Sequence, residues 1–322
     1  MGETMNNFIN LNSNDQISSM NKKDLNEFLR LLNSYNLELR EKLNFDNNIT
    51  FGMELECEHT EIEPIIESFK KINFVQKWKI KSDDSLIETK GLEFITPIYR
   101  DEKYVYTELK QVCNILNQNA TIGKRAGSHI HIGAQILENE ETIFNLINLW
   151  ILYEHLIFRF TNGEFLYSRP NISLYAYPLR EEFGLLPIDF LSFNLKDYKN
   201  RFIDSCIRLC NIRNLKEQKY KNTVEFRCPN GTLDPVIWQN NLNFFVKFIE
   251  YTKKVNYKEI CDELYNSSVV SANNYYQIFL EEAINLVDQI FDTNMDKIYF
   301  LRQYLKNNET STIYRKCKKF TK

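Results

Sequence analysis

Four histidines occur in the 322 residues, and two of them, His129 and His131, fall in one short alternating segment, SHIHI. Side chains on a β-strand alternate between faces, so residues two apart share a face. This places His129 and His131 on one side, opposite Ser128, Ile130 and Ile132. The arrangement recurs in FGMELEC, where Glu54 and Glu56 oppose Phe51, Met53, Leu55 and Cys57. It recurs again in TVEFRC, where Glu225 and Arg227 oppose Val224, Phe226 and Cys228, and in GLEFIT, where Glu93 opposes Leu92 and Phe94. Solvated faces favour Lys, Thr, Ser and mixed charge, whereas this face collects carboxylates, imidazoles and one guanidinium. Carboxylates that converge in one cleft repel each other and need cations. Oxygen donors with an imidazole suit Mg²⁺ and tolerate Mn²⁺. Two or three such ions would hold a polyphosphate, with Arg227 neutralising more of its charge. Neither GxxxxGK[ST] nor GxGxxG occurs, so a P-loop or Rossmann phosphate cradle is not expected.

The elements that must carry these residues are short strands separated by helices. Segments 49–58, 91–96, 127–134 and 222–228 read as strands from their alternation and β-forming residues. Stretches 62–71, 101–119 and 139–160 read as helices, and Leu25, Phe28, Leu29, Leu32, Leu39 and Leu43 predict one or two amphipathic helices over 23–43. Asp234-Pro235 reads as an N-cap followed by the first position of a helix reaching about 254. A further helical region is expected over 258–306, ending in the basic segment RKCKKFTK. The fold class is therefore α+β. Residues 1–45 are expected to hold a flexible leader of about twenty residues and N-terminal helices, 46–255 the catalytic domain, and 256–322 a helical extension packed on it.

Composition bounds the function. A net charge of −3 argues against a general nucleic-acid binder, and 14% aromatic content argues against disorder. The polar N-terminus lacks an apolar signal segment, and the apolar run from 143 to 160 is broken by Asn145, Asn148, Glu154, His155 and Arg159, so no membrane span is expected. Seven cysteines without a CxxC pair fit buried thiols in a reducing cytoplasm.

FGMELE, DDSLIETKGLEFITP, SHIHIG and TVEFRCPNGTLDPVIW, in that order, resemble the putative amidoligase branch of the glutamine synthetase/glutamate–cysteine ligase superfamily of carboxylate–amine ligases. The resemblance covers about residues 49 to 250 and leaves both ends of the chain uncovered. It implies a curved antiparallel sheet of glutamine-synthetase catalytic-domain type, helices on its convex face, and extra helices at both termini. It implies ATP and two or three Mg²⁺ ions as cofactors, and an amide formed from carboxylate and amine substrates through an acyl phosphate. Glu54, His129 and Glu225 would hold the ion bridging the terminal phosphates. Glu56 and Glu93 would hold the ion beside the substrate carboxylate, with Asp84 contributing through water. Arg227 would contact the transferring phosphoryl group and His131 the substrate carbonyl oxygen, and Glu56 counts with them as catalytic. Relatives form rings or dimers, which leaves a homo-oligomer open. The branch commonly has Cys-Gly before its His-x-His; this chain has Ala126-Gly127 and so keeps the glycine.

Other candidates are less tied to the strands. Arg169 and Arg180, in SRPNISLYAYPLR, are candidates for a phosphate or substrate carboxylate, and Arg208, Asn211 and Arg213 could line the same cleft. His59 is expected to be solvated and His155 structural; Tyr175 and Tyr177 are expected at the edge of the core, with stacking on adenine or peptide as the other reading. Two rivals stand beside the ligase: a phosphotransferase of guanidino-kinase type, and an inactive module that binds a nucleotide or peptide.

Overall fold

The computed structural model describes residues 2–123, 125–162, 175–184, 205–210, 222–268 and 270–305. Its strands are β1 (Phe51–Cys57), β2 (Lys79–Ser82), β3 (Leu92–Ile95), β4 (Ser128–Gly133), β5 (Ile207–Cys210) and β6 (Thr223–Phe226). They form one sheet in the order β2-β3-β1-β4-β6-β5, with every neighbouring pair antiparallel. The helices are α1 (Gly2–Phe8), α2 (Lys22–Ser34), α3 (Ile62–Lys71), α4 (Lys103–Asn119), α5 (Glu140–Asn162), α6 (Leu179–Phe183), α7 (Pro235–Thr252), α8 (Tyr257–Asn266), α9 (Leu280–Ile290) and α10 (Asn294–Leu305). The architecture is a mixed α+β fold. All four expected strands are present, each shorter than expected.

The apolar residues of each strand face helices. Phe51, Met53, Leu55, Cys57, Phe94, Ile130, Ile132, Val224 and Phe226 are all buried. Behind β6, the Phe226 ring stacks on Phe245 of α7 with centroids 4.1 Å apart and on Trp150 of α5 at 5.6 Å. At the other side, Phe94 of β3 meets Phe69 of α3 edge-on at 6.1 Å. Asp234 caps α7 as expected, its carboxylate accepting from the Val236 N–H at 2.9 Å.

Helix α5 is buried around nearly its whole circumference, which places it at the centre of the helical layer. Its polar residues are matched there. Glu154 accepts from the Tyr275 hydroxyl at 2.7 Å, the Leu179 N–H at 2.6 Å and the Trp150 ring N–H at 3.1 Å. Burial still holds its carboxyl above the usual range, against the Tyr275 and Arg180 hydrogen bonds. Arg159 donates to the carbonyls of Tyr304 and Tyr276. Among the described residues, no helix is long and apolar enough to cross a membrane.

The first twenty residues differ from the flexible leader expected of them. Met5, Ile9 and Ile17 are buried in the core. The Asp288 carboxylate accepts from the N–H groups of Ile17 (3.1 Å) and Ser18 (2.8 Å) and pairs with the fully buried Lys297 at 2.9 Å. Lys297 also donates to the Asp15 carbonyl at 2.6 Å. Polarity misled the expectation, because Asn294 of α10 gathers the segment by accepting from the Asp15 N–H and donating to the Asn10 carbonyl and the Asp15 carboxylate. The α2 helix ends at Ser34, so Leu39 and Leu43 lie beyond it. The terminal segment RKCKKFTK lies outside the described residues.

Removing one partner of a buried ion pair strands the other charge, at a cost of about 3–5 kcal/mol. Asp288→Ala is therefore expected to destabilise the protein by that order in urea titrations, and to open residues 13–18 to hydrogen exchange. Unchanged protection there would show that the pairing does not hold the N-terminal segment.

Candidate functional site

Cross-strand register brings the polar residues together. Glu56 lies opposite Glu93, and Glu93 opposite Lys81. Glu54 lies opposite His129, while His131 lies opposite Glu225 and Glu225 opposite Arg208. One face of all six strands thus forms a continuous patch of ionisable groups.

This patch is not a solvated face. The side chains of Glu54, Glu56, Glu93, His129, His131 and Glu225 are each 15% exposed or less. His129 Nδ1 lies 3.3 Å from Glu54 Oε2 and 3.7 Å from Glu225 Oε1, and its Nε2 lies 3.5 Å from Glu56 Oε1. His131 Nε2 lies 3.2 Å from Glu54 Oε1, and its Nδ1 sits 3.0 Å from the Thr223 hydroxyl oxygen. The other oxygen of Glu56 accepts from the Gly127 N–H at 2.5 Å, which gives that backbone position a direct part in the site. Arg227 donates through Nη1 to Glu225 Oε1 at 2.9 Å and through Nε to the Tyr175 carbonyl at 2.6 Å.

The electrostatics follow from this crowding. Burial and the adjacent Glu54 carboxylate push the Glu93 carboxyl up to about 7, against the pull of Lys81 at 3.2 Å. Burial also opposes charge on Glu54, but hydrogen bonds from His129 and His131 outweigh it and hold that carboxyl far below its usual range. Glu225 is likewise lowered: its burial is overcome by His129, His131 and Arg227. His129 is raised, because Glu56, Glu54 and Glu225 together exceed the effects of burial and Arg227. The two neighbouring glutamates are pushed in opposite directions because the histidines sit on Glu54, whereas Glu93 has the Glu54 carboxylate beside it.

Among the described residues, three sets of donors have atoms within 4.8 Å of one another: Glu54–Glu93–His129, Glu56–Asp83–Glu93 and His131–Cys210–Glu225. The first two offer carboxylate oxygen and imidazole nitrogen, the chemistry that Mg²⁺ and Mn²⁺ accept. The donor set therefore fits divalent ions of this kind.

The expected site residues divide clearly. Glu54, Glu56, Glu93, His129, His131, Glu225 and Arg227 converge. Arg180 does not join them: it is buried in the helical layer, with Nε and Nη2 donating to the carbonyls of Ile151 and Leu152. Arg169, Asn211 and Arg213 lie outside the described residues. Arg208 reaches the cleft, with Nη1 3.7 Å from Glu225 Oε2. The acid that joins Glu56 and Glu93 is Asp83, whereas Asp84 is exposed. His155 is structural, its Nε2 2.8 Å from a Glu282 carboxylate oxygen, and His59 is exposed. Tyr175 and Tyr177 are 38% and 39% exposed.

Lys81 and Cys210 were missed at sequence level. Lys81 sits in KIKS, whose one apolar residue gives little strand signal. Cys210 had a readable signal: in IRLC it shares its alternation with Arg208, opposite the buried Ile207 and Leu209.

Divalent ions are expected to raise the unfolding temperature. The stabilisation expected is about 2.7 kcal/mol at a hundred times the dissociation constant. Glu54→Gln or Glu225→Gln should remove most of that shift in Mn²⁺ titrations followed by scanning fluorimetry. A full shift in both variants would show that the ions bind elsewhere.

Among curated proteins, none matches the chain. A family described as "Putative amidoligase enzyme" matches residues 47–249, which is more than half of the chain and includes all six strands. The chain belongs to this amidoligase family.

Proposed function

We propose that this protein is an ATP-dependent carboxylate–amine ligase of the glutamine synthetase/glutamate–cysteine ligase type. It would join an amino acid, peptide or protein carboxylate to an amine through an acyl phosphate. The observation that carries the reading is the convergence of Glu54, Glu56, Glu93, Glu225, His129 and His131, each 15% exposed or less, with Arg227 on Glu225, inside the segment matched by the amidoligase family. Amidoligase chemistry requires a carboxylate to be activated before an amine displaces the leaving group, and phosphoryl transfer from ATP supplies that activation.

In this reading Glu54, His129 and Glu225 would hold the ion that serves the terminal phosphates, and Glu56 and Glu93, with Asp83, would hold the ion that serves the substrate carboxylate. Bound Mg²⁺ would neutralise phosphate charge and stabilise the transferring group. A carboxylate oxygen forms the new bond to the γ-phosphorus as the bond to ADP breaks. The amine then bonds to the acyl carbon, inorganic phosphate leaves, and the amine proton passes to a base. Arg227 serves the transferring phosphoryl group. Its bonds to Tyr175 and Glu225 fix the guanidinium plane, so little reorganisation remains at the moment of transfer. His131, oriented through Thr223, presents Nε2 to the substrate carbonyl oxygen. Glu56 belongs to the same catalytic group, one oxygen anchored by Gly127. Burial of the cleft keeps water from the activated acyl group. Six described cysteines, all free thiols, suit a reducing cytoplasm.

The phosphotransferase reading relies on clustered arginines, and among the described residues only Arg208 and Arg227 reach the cleft carboxylates. Trapping with hydroxylamine separates these readings. A ligase forms a hydroxamate from its carboxylate substrate when ATP and Mg²⁺ are present, with pooled amino acids and peptides read by mass spectrometry. ATP consumption that gives a stable phosphorylated product and no hydroxamate would favour the kinase; ATP binding without turnover would favour the inactive module. Arg227→Ala is expected to lower kcat about a hundred- to a thousand-fold with a smaller change in KM for ATP. An equal loss in both would remove Arg227 from the transition state.

A further inference from the structure

Glu225 faces two ways. Its Oε1 looks to the centre of the cleft, with Arg227 Nη1 at 2.9 Å, His129 Nδ1 at 3.7 Å and His131 Nε2 at 4.0 Å. Its Oε2 looks to the edge strand β5, with Cys210 Sγ at 3.0 Å and Arg208 Nη1 at 3.7 Å. The thiol is held there by two ladders: β5 pairs with β6 so that Cys210 lies opposite Thr223, and β6 pairs with β4 so that Glu225 lies opposite His131. Thr223 occupies Nδ1 of His131, and Nε2 lies between Glu54 Oε1 at 3.2 Å and Glu225 Oε1 at 4.0 Å. Nitrogen, sulfur and oxygen donors from three adjacent strands thus lie within 4.8 Å of one another.

This donor set differs in kind from its neighbours. The other two groups hold only oxygen and imidazole donors, which suit hard ions. A thiolate selects Zn²⁺ and similar thiophilic ions and is a poor ligand for Mg²⁺. Cys, His and carboxylate are the common zinc ligands, and three protein ligands with one open position form a complete zinc site. The Thr223 contact is the outer-shell bond that a ligating histidine normally makes through its other nitrogen.

We propose that His131, Cys210 and Glu225 form a thiophilic cation site, taking Zn²⁺ in preference to Mg²⁺, through which such an ion silences the cleft by claiming Glu225 and His131. Binding forms a metal–sulfur bond as the Cys210 S–H bond breaks, and the proton passes to solvent. No oxidant or reductant takes part. The two ions compete because Glu225 is shared, so occupation of the sulfur site removes a ligand from the ion at the phosphates. The inhibitory consequence rests on the ligase reading; the site itself rests on the donor geometry alone.

Co²⁺ reports directly on such a site, because a cobalt–thiolate bond gives near-ultraviolet charge-transfer absorption. In the full-length protein, Co²⁺ is expected to produce this band, and Zn²⁺ to abolish it while excess Mg²⁺ leaves it in place. Cys210→Ser should lose the band and Cys261→Ser should keep it. A band that survives in Cys210→Ser, yields to Mg²⁺ or never forms would overturn the proposal. A substitution on a buried strand also tests folding, so the wild-type protein supplies a second readout. Iodoacetamide labelling mapped by mass spectrometry should show Cys210 protected by Zn²⁺ and not by Mg²⁺; equal labelling with and without saturating Zn²⁺ counts against the site. Neither readout needs turnover, so failure of the ligase reading and failure of this one are separable.

Discussion

Four glutamates buried on one face of one sheet repel each other, and much of the surrounding structure answers that repulsion. Glu56 and Glu93 are directly opposed across β1 and β3, an arrangement that destabilises a ladder unless a positive charge intervenes. In the protein alone, the relief comes from His129 and His131 near Glu54, from Arg227 at Glu225, from Lys81 at Glu93, and from the Gly127 N–H at Glu56. These contacts hold the carboxylates in place unevenly: two histidines lower Glu54, while burial and the Glu54 carboxylate raise Glu93. The donors that converge there are of the kind that fits divalent cations.

The other face of the same strands makes this arrangement rigid. Along β6, Phe226 enters the stack with Trp150 and Phe245 while Glu225, one residue away, points into the cleft. A one-residue slip would bury the carboxylate among rings and expose the phenyl group, so aromatic packing also sets the register of the chemistry. The same logic links Phe94 to Glu93 and Ile130 to His129 and His131. The amidoligase match spans this sheet and the helices α3, α4 and α5, and it ends within α7, leaving the terminal helices outside.

Alternation made the central strands legible before any coordinates. Glu54, Glu56, His129, His131, Glu225 and Arg227 could be assigned to one face because period-two patterning survives even in segments of four to seven residues. Edge strands were less legible. In β2 the pattern KIKS has one half-buried apolar residue, so tertiary pairing rather than local preference decides its conformation. Arg180 shows the opposite difficulty. Its charge suggested a ligand contact, but its partners are helix carbonyls far away in sequence terms, which no local pattern encodes. Asp83 and Asp84 differ only in which of two adjacent acids a 3₁₀ turn aims inward, and that depends on the turn's geometry.

The link between the two ends of the chain bears on how the protein is made. Asp15 and Lys297 are separated by 282 residues, yet the lysine ammonium sits on the Asp15 carbonyl and on the Asp288 carboxylate that receives Ile17 and Ser18. A ribosome delivers residue 15 long before α10. During synthesis the sheet can pair as soon as β6 emerges, whereas the N-terminal segment must wait, its apolar residues uncovered, until α9 and α10 have left the exit tunnel. Securing of the N-terminal segment is therefore coupled to the arrival of α10, and a chain interrupted before Lys297 carries an assembled sheet with an unsecured N-terminal segment.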